Sequence, residues 1–121
     1  MTAPRTVTVP TLDHGPVVMT EPAWCAGHAD EPTELRCDTG HTGTPHPLMY
    51  EGLELAYSVP VQDPFAPSGR RSVGVLVELG PLANRLTPAE LDVLAGLLVD
   101  YAGTLRRLAR QLSALHAGEA R

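Results

Sequence analysis

Residues 23–47 constrain this chain more than any other stretch. They show neither a helical nor a strand period, and Gly40, Gly43, Pro45 and Pro47 break their second half. A loop of this length within a 121-residue chain is uncommon unless it is functional or unstructured. It also carries both cysteines of the protein and three of its five histidines: Cys25, His28, Cys37, His41 and His46. Read as spacing, this is Cys-x2-His, eight residues, then Cys-x3-His, close to the two-knuckle pattern that holds tetrahedral zinc. A bound cation would replace the contacts that a loop poor in apolar side chains cannot make. The expected cofactor is therefore zinc, held by Cys25, His28, Cys37 and His41, with His14 and His46 as alternates. The bland readings are a small buried Cys25 and a Cys25–Cys37 disulfide, the latter disfavoured in a reducing compartment.

One small domain is expected over residues 1–121. Apolar residues make up 43% of the chain, but with one Phe, one Trp and three Tyr its core has to be aliphatic. All nine cationic residues are arginine, and the net charge of -5 argues against a protein that binds nucleic acid by neutralising many phosphates. No stretch has the roughly 18 apolar residues needed to span a bilayer, and the first ten residues lack the apolar run of a signal peptide. A cytoplasmic location is expected, where thiols stay available to metal.

After a polar tail at residues 1–5, Thr6-Val7-Thr8-Val9 alternates with period two, and Val17-Val18-Met19 resumes an extended pattern past the turn cluster around Asp13-His14-Gly15. Together they predict a hairpin over 6–22. Leu53 to Val61 and Val73 to Leu79 alternate clearly and predict a second hairpin over 53–80, with Pro60 marking an edge strand or an early end. Thr87-Pro88-Ala89-Glu90 is a capping box, with proline at the first helical position, and opens a long helix over 87–117. Leu91, Leu94, Leu98, Tyr101, Leu105, Leu108, Leu112 and Leu115 follow at alternating spacings of three and four, an a/d seam. Such a helix is about 45 Å long, beyond the reach of a strand of about 23 Å. The second half of the seam, Leu105, Leu108, Leu112 and Leu115, is therefore expected to meet another helix, from a second copy or a partner protein. The fold class is α+β: an antiparallel sheet of about four strands, a long Cys/His loop and one C-terminal helix.

Asp13-His14-Gly15, Trp24-Cys25-Ala26-Gly27-His28 and His41-Thr42-Gly43 together resemble a family of small actinobacterial proteins known only as a domain of unknown function. The resemblance covers about the first 45 residues and the strand pattern after them. It implies that His14, Cys25, His28 and His41 sit at matching positions, leaves Cys37 without a counterpart, and implies no activity.

Three functions are compatible with these features. The first is a non-enzymatic zinc module that self-associates or binds a partner through its helix. The second is a small zinc hydrolase in which Cys25, His28 and His41 hold the ion, water takes the fourth position, and Asp38, Asp13 or Glu34 serves as acid or base. The third is a DNA-binding regulator that uses Arg106, Arg107 and Arg110.

Overall fold

The computed structural model describes residues 5–69 and 71–119, so residues 1–4 of the polar tail lie outside it. Among the described residues the architecture is α+β, with six strands in a two-stranded and a four-stranded antiparallel sheet and one long C-terminal helix. The chain divides into two compact units, residues 1–44 with 60–74, and residues 45–59 with 75–121.

In the first unit, β1 (Thr6–Thr11) and β2 (Gly15–Thr20) form the expected hairpin, in register from Thr6 opposite Thr20 to Thr11 opposite Gly15. Alternation buries Val9, Thr11 and Met19 and exposes their neighbours. The turn is closed by Thr11, whose hydroxyl donates to the Gly15 carbonyl at 2.7 Å and accepts the His14 N–H at 3.0 Å. The stretch expected to be irregular carries more backbone order than its sequence suggests. A 3-10 turn occupies Arg36–Asp38, and a short β3 (His41–Thr42) pairs with the end of β5 (Leu53–Gln62) through His41 opposite Gln62.

In the second unit, β4 (His46–Tyr50) pairs with β5 across a two-residue turn, Glu51-Gly52. Both turn residues have positive φ, 46° and 80°, the geometry that matches hairpin twist. β6 (Gly74–Leu79) also pairs with β5, and the Gly80 N–H donates to the Leu55 carbonyl at 2.7 Å. β5 is therefore the central strand, not an edge. Its proline is tolerated because Pro60 falls between the residues paired to β4 (Leu53–Ser58) and those paired to β3 (Val61–Gln62). At that gap the Pro60 carbonyl accepts the Gly43 N–H at 2.8 Å.

The helix α1 runs Pro88–Glu119. Its capping box is reciprocal, with the Thr87 N–H donating to Glu90 Oε1 at 2.9 Å and the Glu90 N–H donating to Thr87 Oγ1 at 3.2 Å. α1 packs on a cluster of Leu48, Tyr50, Leu55 and Ala56 through Tyr101, with Leu94 and Leu97 alongside. The Tyr101 hydroxyl donates to the His46 carbonyl at 2.7 Å, so at its 2.6 Å contact with Ser58 Oγ it must accept.

The second half of the seam is covered unevenly. Leu108 is buried and Leu112 and Leu115 are half-buried within the chain, while Leu105 remains exposed.

Candidate metal centre

Three backbone segments converge at the end of β2. The β1–β2 ladder continues one residue past the strand, where the Glu21 N–H donates to the Arg5 carbonyl at 2.7 Å and fixes Glu21. A turn follows, closed by the Cys25 N–H to the Pro22 carbonyl at 3.1 Å. Cys25 then bridges to Gly43, and the Ala26 N–H donates to the Thr42 carbonyl at 2.9 Å, so the cysteine segment lies against β3. Gly27, with φ of 104°, turns the chain sharply; its N–H points at Cys25 Sγ at 3.5 Å, and His28 follows.

On the facing segment, His41 is aimed by β3. Gly40 before it has no room for a side chain, because a Cβ there would overlap the Gln62 carbonyl oxygen. Gly43 after it is confined by Pro60 and the Trp24 carbonyl, each 3.1 Å from a Cβ placed there. The glycines that look like loop breakers in the sequence are thus sites of close backbone approach.

The side chains of Glu21, Cys25, His28 and His41 meet, with one ligand atom of each lying within 4.8 Å of all the others. Glu21 Oε1 is 3.2 Å from His28 Nε2 and 3.1 Å from His41 Nδ1, and Cys25 Sγ is 3.6 Å from His28 Nε2. Zinc bond lengths imply tetrahedral edges of about 3.3 Å between N and O ligands and about 3.6 Å between N and S. The observed separations are close to those edges. On the far side of the ring, His28 Nδ1 is 2.9 Å from Glu31 Oε2. With the proton on Nδ1, that contact holds the ring and turns the Nε2 lone pair toward the group, the carboxylate–histidine arrangement that commonly backs a metal ligand. Trp24 stands edge-on to the His41 ring, centroids 6.1 Å apart.

The electrostatics suit a cation. Burial pushes the Glu21 carboxyl up, but hydrogen bonds from Cys25 and His28 and the charge of the imidazoles outweigh it and hold the group below its ordinary range. Burial pushes the Cys25 thiol up, and the neighbouring Glu21 carboxylate adds to the shift. The two imidazoles move in opposite directions. Burial dominates at His41 and lowers it; at His28 burial is outweighed by Glu31 and Glu21, which raise it. His41 Nδ1 is buried and makes no hydrogen bond, although Glu21 Oε1 lies 3.1 Å away. A buried nitrogen without a hydrogen bond carries a desolvation cost, and coordination to a cation would remove it. The residues present fit a divalent ion: one carboxylate, one thiolate and two neutral imidazoles carry two negative charges.

A family model described as a domain of unknown function (DUF6907) matches residues 6–114. The chain belongs to this family. No curated protein and no solved structure gives a significant match.

In this DUF6907 domain the structure brings together three of the expected ligands, Cys25, His28 and His41, and places Glu21 as the fourth member of the group. Cys37 lies elsewhere, half-buried in the 3-10 turn. That turn is tied to the β1–β2 turn through the Arg36 N–H, which donates to Asp13 Oδ1 at 2.8 Å, while the Arg36 guanidinium stacks over Phe65 at 4.0 Å. The β1–β2 turn also holds His14, exposed and 3.0 Å from Asp13. His46 begins β4, and its carbonyl takes the Tyr101 hydrogen bond. Glu21 falls outside the thiol-and-imidazole pattern of residues 25–41. Its signal in the sequence is an acid four residues before Cys25, directly after a strand, giving Glu-x3-Cys-x2-His.

Proposed function

We propose that this DUF6907 domain is a non-enzymatic zinc module in which Glu21, Cys25, His28 and His41 hold the ion and the C-terminal helix serves association. The observation that carries the zinc reading is the buried His41 Nδ1, without a hydrogen bond, facing a carboxylate, a thiol and a second imidazole. Zinc bound there supplies a positive charge that cross-links the end of β2, the Cys25–His28 turn and β3. Four protein ligands complete a tetrahedron, which favours a structural site over one that keeps a position for water. A cleft of about 360 Å³ between Val18, Met19 and Phe65 does reach His41. Of the acids first considered for hydrolysis, Asp13 is engaged with Arg36 and His14 in the β1–β2 turn.

Cobalt substitution tests the assignment. A four-coordinate Co(II) spectrum with a thiolate charge-transfer band is expected for the parent. The band should disappear in Cys25→Ser, weaken in binding titrations of Glu21→Gln, and persist in Cys37→Ser. A parent that takes up less than about a tenth of an equivalent of zinc or cobalt would overturn the reading. Loss of the band in Cys37→Ser, with Glu21→Gln unaffected, would replace Glu21 by Cys37 as a ligand.

A further inference from the structure

The leucine seam of α1 divides into two rows at heptad spacing. Leu94, Tyr101, Leu108 and Leu115 form the inward row, buried or half-buried throughout. Leu91, Leu98, Leu105 and Leu112 form the other, and the first three of these remain 54%, 51% and 37% exposed. Interleaved with the outward row are Ala95, Ala102 and Ala109, all exposed. Leu91, Ala95, Leu98, Ala102, Leu105 and Ala109 thus make a second seam, at alternating spacings of four and three, on the solvent side of a helix whose first seam is already used.

The second seam is self-complementary when reversed about residue 100. Reversal sets Leu91 against Ala109, Leu98 against Ala102 and Leu105 against Ala95, so every layer pairs one large and one small side chain. Such layers fill space without voids and let the helix axes approach closely. The flank of the seam pairs about residue 99, one residue from the centre of the seam, the shift expected between the core and the edge positions of an antiparallel helix pair. Asp92, Val99 and Arg106 recur at heptad spacing beside the leucines, all three exposed. This pairing brings Asp92 opposite Arg106 on both sides of the dyad and sets Val99 against Val99. The 71% exposure of Val99, a β-branched residue in the middle of a solvent-facing helix, thereby acquires an apolar partner.

The geometry points to an antiparallel homodimer, in which two copies of α1 pack through the Leu91–Ala109 seam about a two-fold axis near Val99. This deepens the reading of the domain as an association module by naming the partner, a second copy of this chain, and the face. Of the four leucines expected from the sequence, Leu105 lies on this face, while Leu108 is buried and Leu112 and Leu115 are half-buried. A seam running from Leu91 to Ala109 is about 27 Å long, and a two-fold, isologous contact of this kind closes on itself as a dimer.

The full-length chain should sediment as a dimer at about 50 µM. Leu98→Glu with Leu105→Glu should yield a monomer with unchanged helical circular dichroism, since both side chains lie outward. Asp92→Arg and Arg106→Asp should each weaken the dimer about tenfold or more, and the double exchange should restore it to within about threefold. Val99→Cys should form an inter-chain disulfide on mild oxidation, above the baseline of the parent with its two native thiols, whereas Asp92→Cys should not. A parent that is monomeric at about 100 µM, a dimer indifferent to the two glutamates, a double exchange that fails to restore, or cross-linking of Asp92→Cys in preference to Val99→Cys would each overturn the proposal. Zinc content measured on the same samples separates the two readings: a monomer that carries zinc refutes the dimer alone, and a dimer without metal refutes the zinc site alone.

Discussion

The two compact units reach order by different physics. In the unit built from residues 45–59 and 75–121, Leu48, Tyr50, Leu55, Ala56 and Tyr101 form a contiguous apolar cluster, sealed at its polar end by the Tyr101–Ser58–His46 hydrogen bonds. In the unit built from residues 1–44 and 60–74, the buried residues Val9, Met19, Ala66 and Val73 stand with Thr11, Thr39 and His41, and the unit also holds the Glu21–Cys25–His28–His41 group. Apolar burial needs no bound ion, because it depends on surface removed from water. A cluster of ligands stabilises only when its charges are matched by a cation. One chain therefore contains a unit whose stability should follow metal and a unit whose stability should not.

The largest separation of the two is expected on metal removal. At a zinc concentration a thousandfold above the dissociation constant, the ion contributes about 4 kcal/mol to the state that binds it. Chelation, or Cys25→Ser, should therefore raise amide exchange across residues 21–43 while leaving α1 and the β4–β5 turn protected. Equal exchange in both units after chelation would mean that they share one source of stability. Proton competition should act in the same direction. The Cys25 thiol lies above its ordinary value and His28 also lies above its own, so both bind protons more readily than free side chains. Zinc must displace those protons, so its affinity should fall as pH is lowered from about 8 to about 6. A metal titration whose midpoint is flat over that range would contradict the ligand set.

The converse separation comes from Tyr101→Phe. Removing the hydroxyl leaves buried Ser58 Oγ and the His46 carbonyl without that partner, a cost of about 1–3 kcal/mol, while zinc uptake should remain at the parent value. Unfolding by urea and cobalt absorbance, read on one sample, would decide it; impaired metal binding would show that the units are coupled.

The capping box gives a smaller effect. Thr87→Ala should cost about 1 kcal/mol, confined to the helical unit. The Glu90 carboxyl is held below its ordinary value of 4.5 by the Thr87 N–H and hydroxyl. Because the folded value is depressed, the contribution is present above the ordinary value and lost as pH falls through the folded one. Acid titration of the helix in the parent, but less of one in Glu90→Gln, is the expected result. The smallest effect is expected for Cys37→Ser, within about 0.5 kcal/mol and without loss of metal.

How much of this was legible in the sequence depended on how local the signal is. The β1–β2 hairpin is written in the alternation of Val7 and Val9, and the start of α1 in Thr87-Pro88-Ala89-Glu90, because capping and pleating act over two to four residues. β4 was missed because His46–Tyr50 is short and carries Pro47; the Glu51-Gly52 turn was its only signal, and a positive φ at a glutamate is rarely anticipated. Three of the four residues in the site could be found, since Cys25 and His28 share one turn and His41 is flanked by the glycines its strand requires. Glu21 could not be told from any other surface acid until the β1–β2 ladder and the Cys25–Gly43 bridge placed its carboxylate against both imidazoles.

The sequence alone determined the local elements: the α+β class, the helix with its seam, and a region rich in metal-binding side chains. The tertiary structure decided which groups meet. It made β5 the central strand by placing Pro60 at the gap between two pairing partners, put Glu21 rather than Cys37 beside the histidines, and divided one leucine seam into an inward and an outward row. Each outcome depends on residues far apart in the chain, whose proximity is set by burial and strand pairing over the whole of each unit, and no short-range preference encodes it.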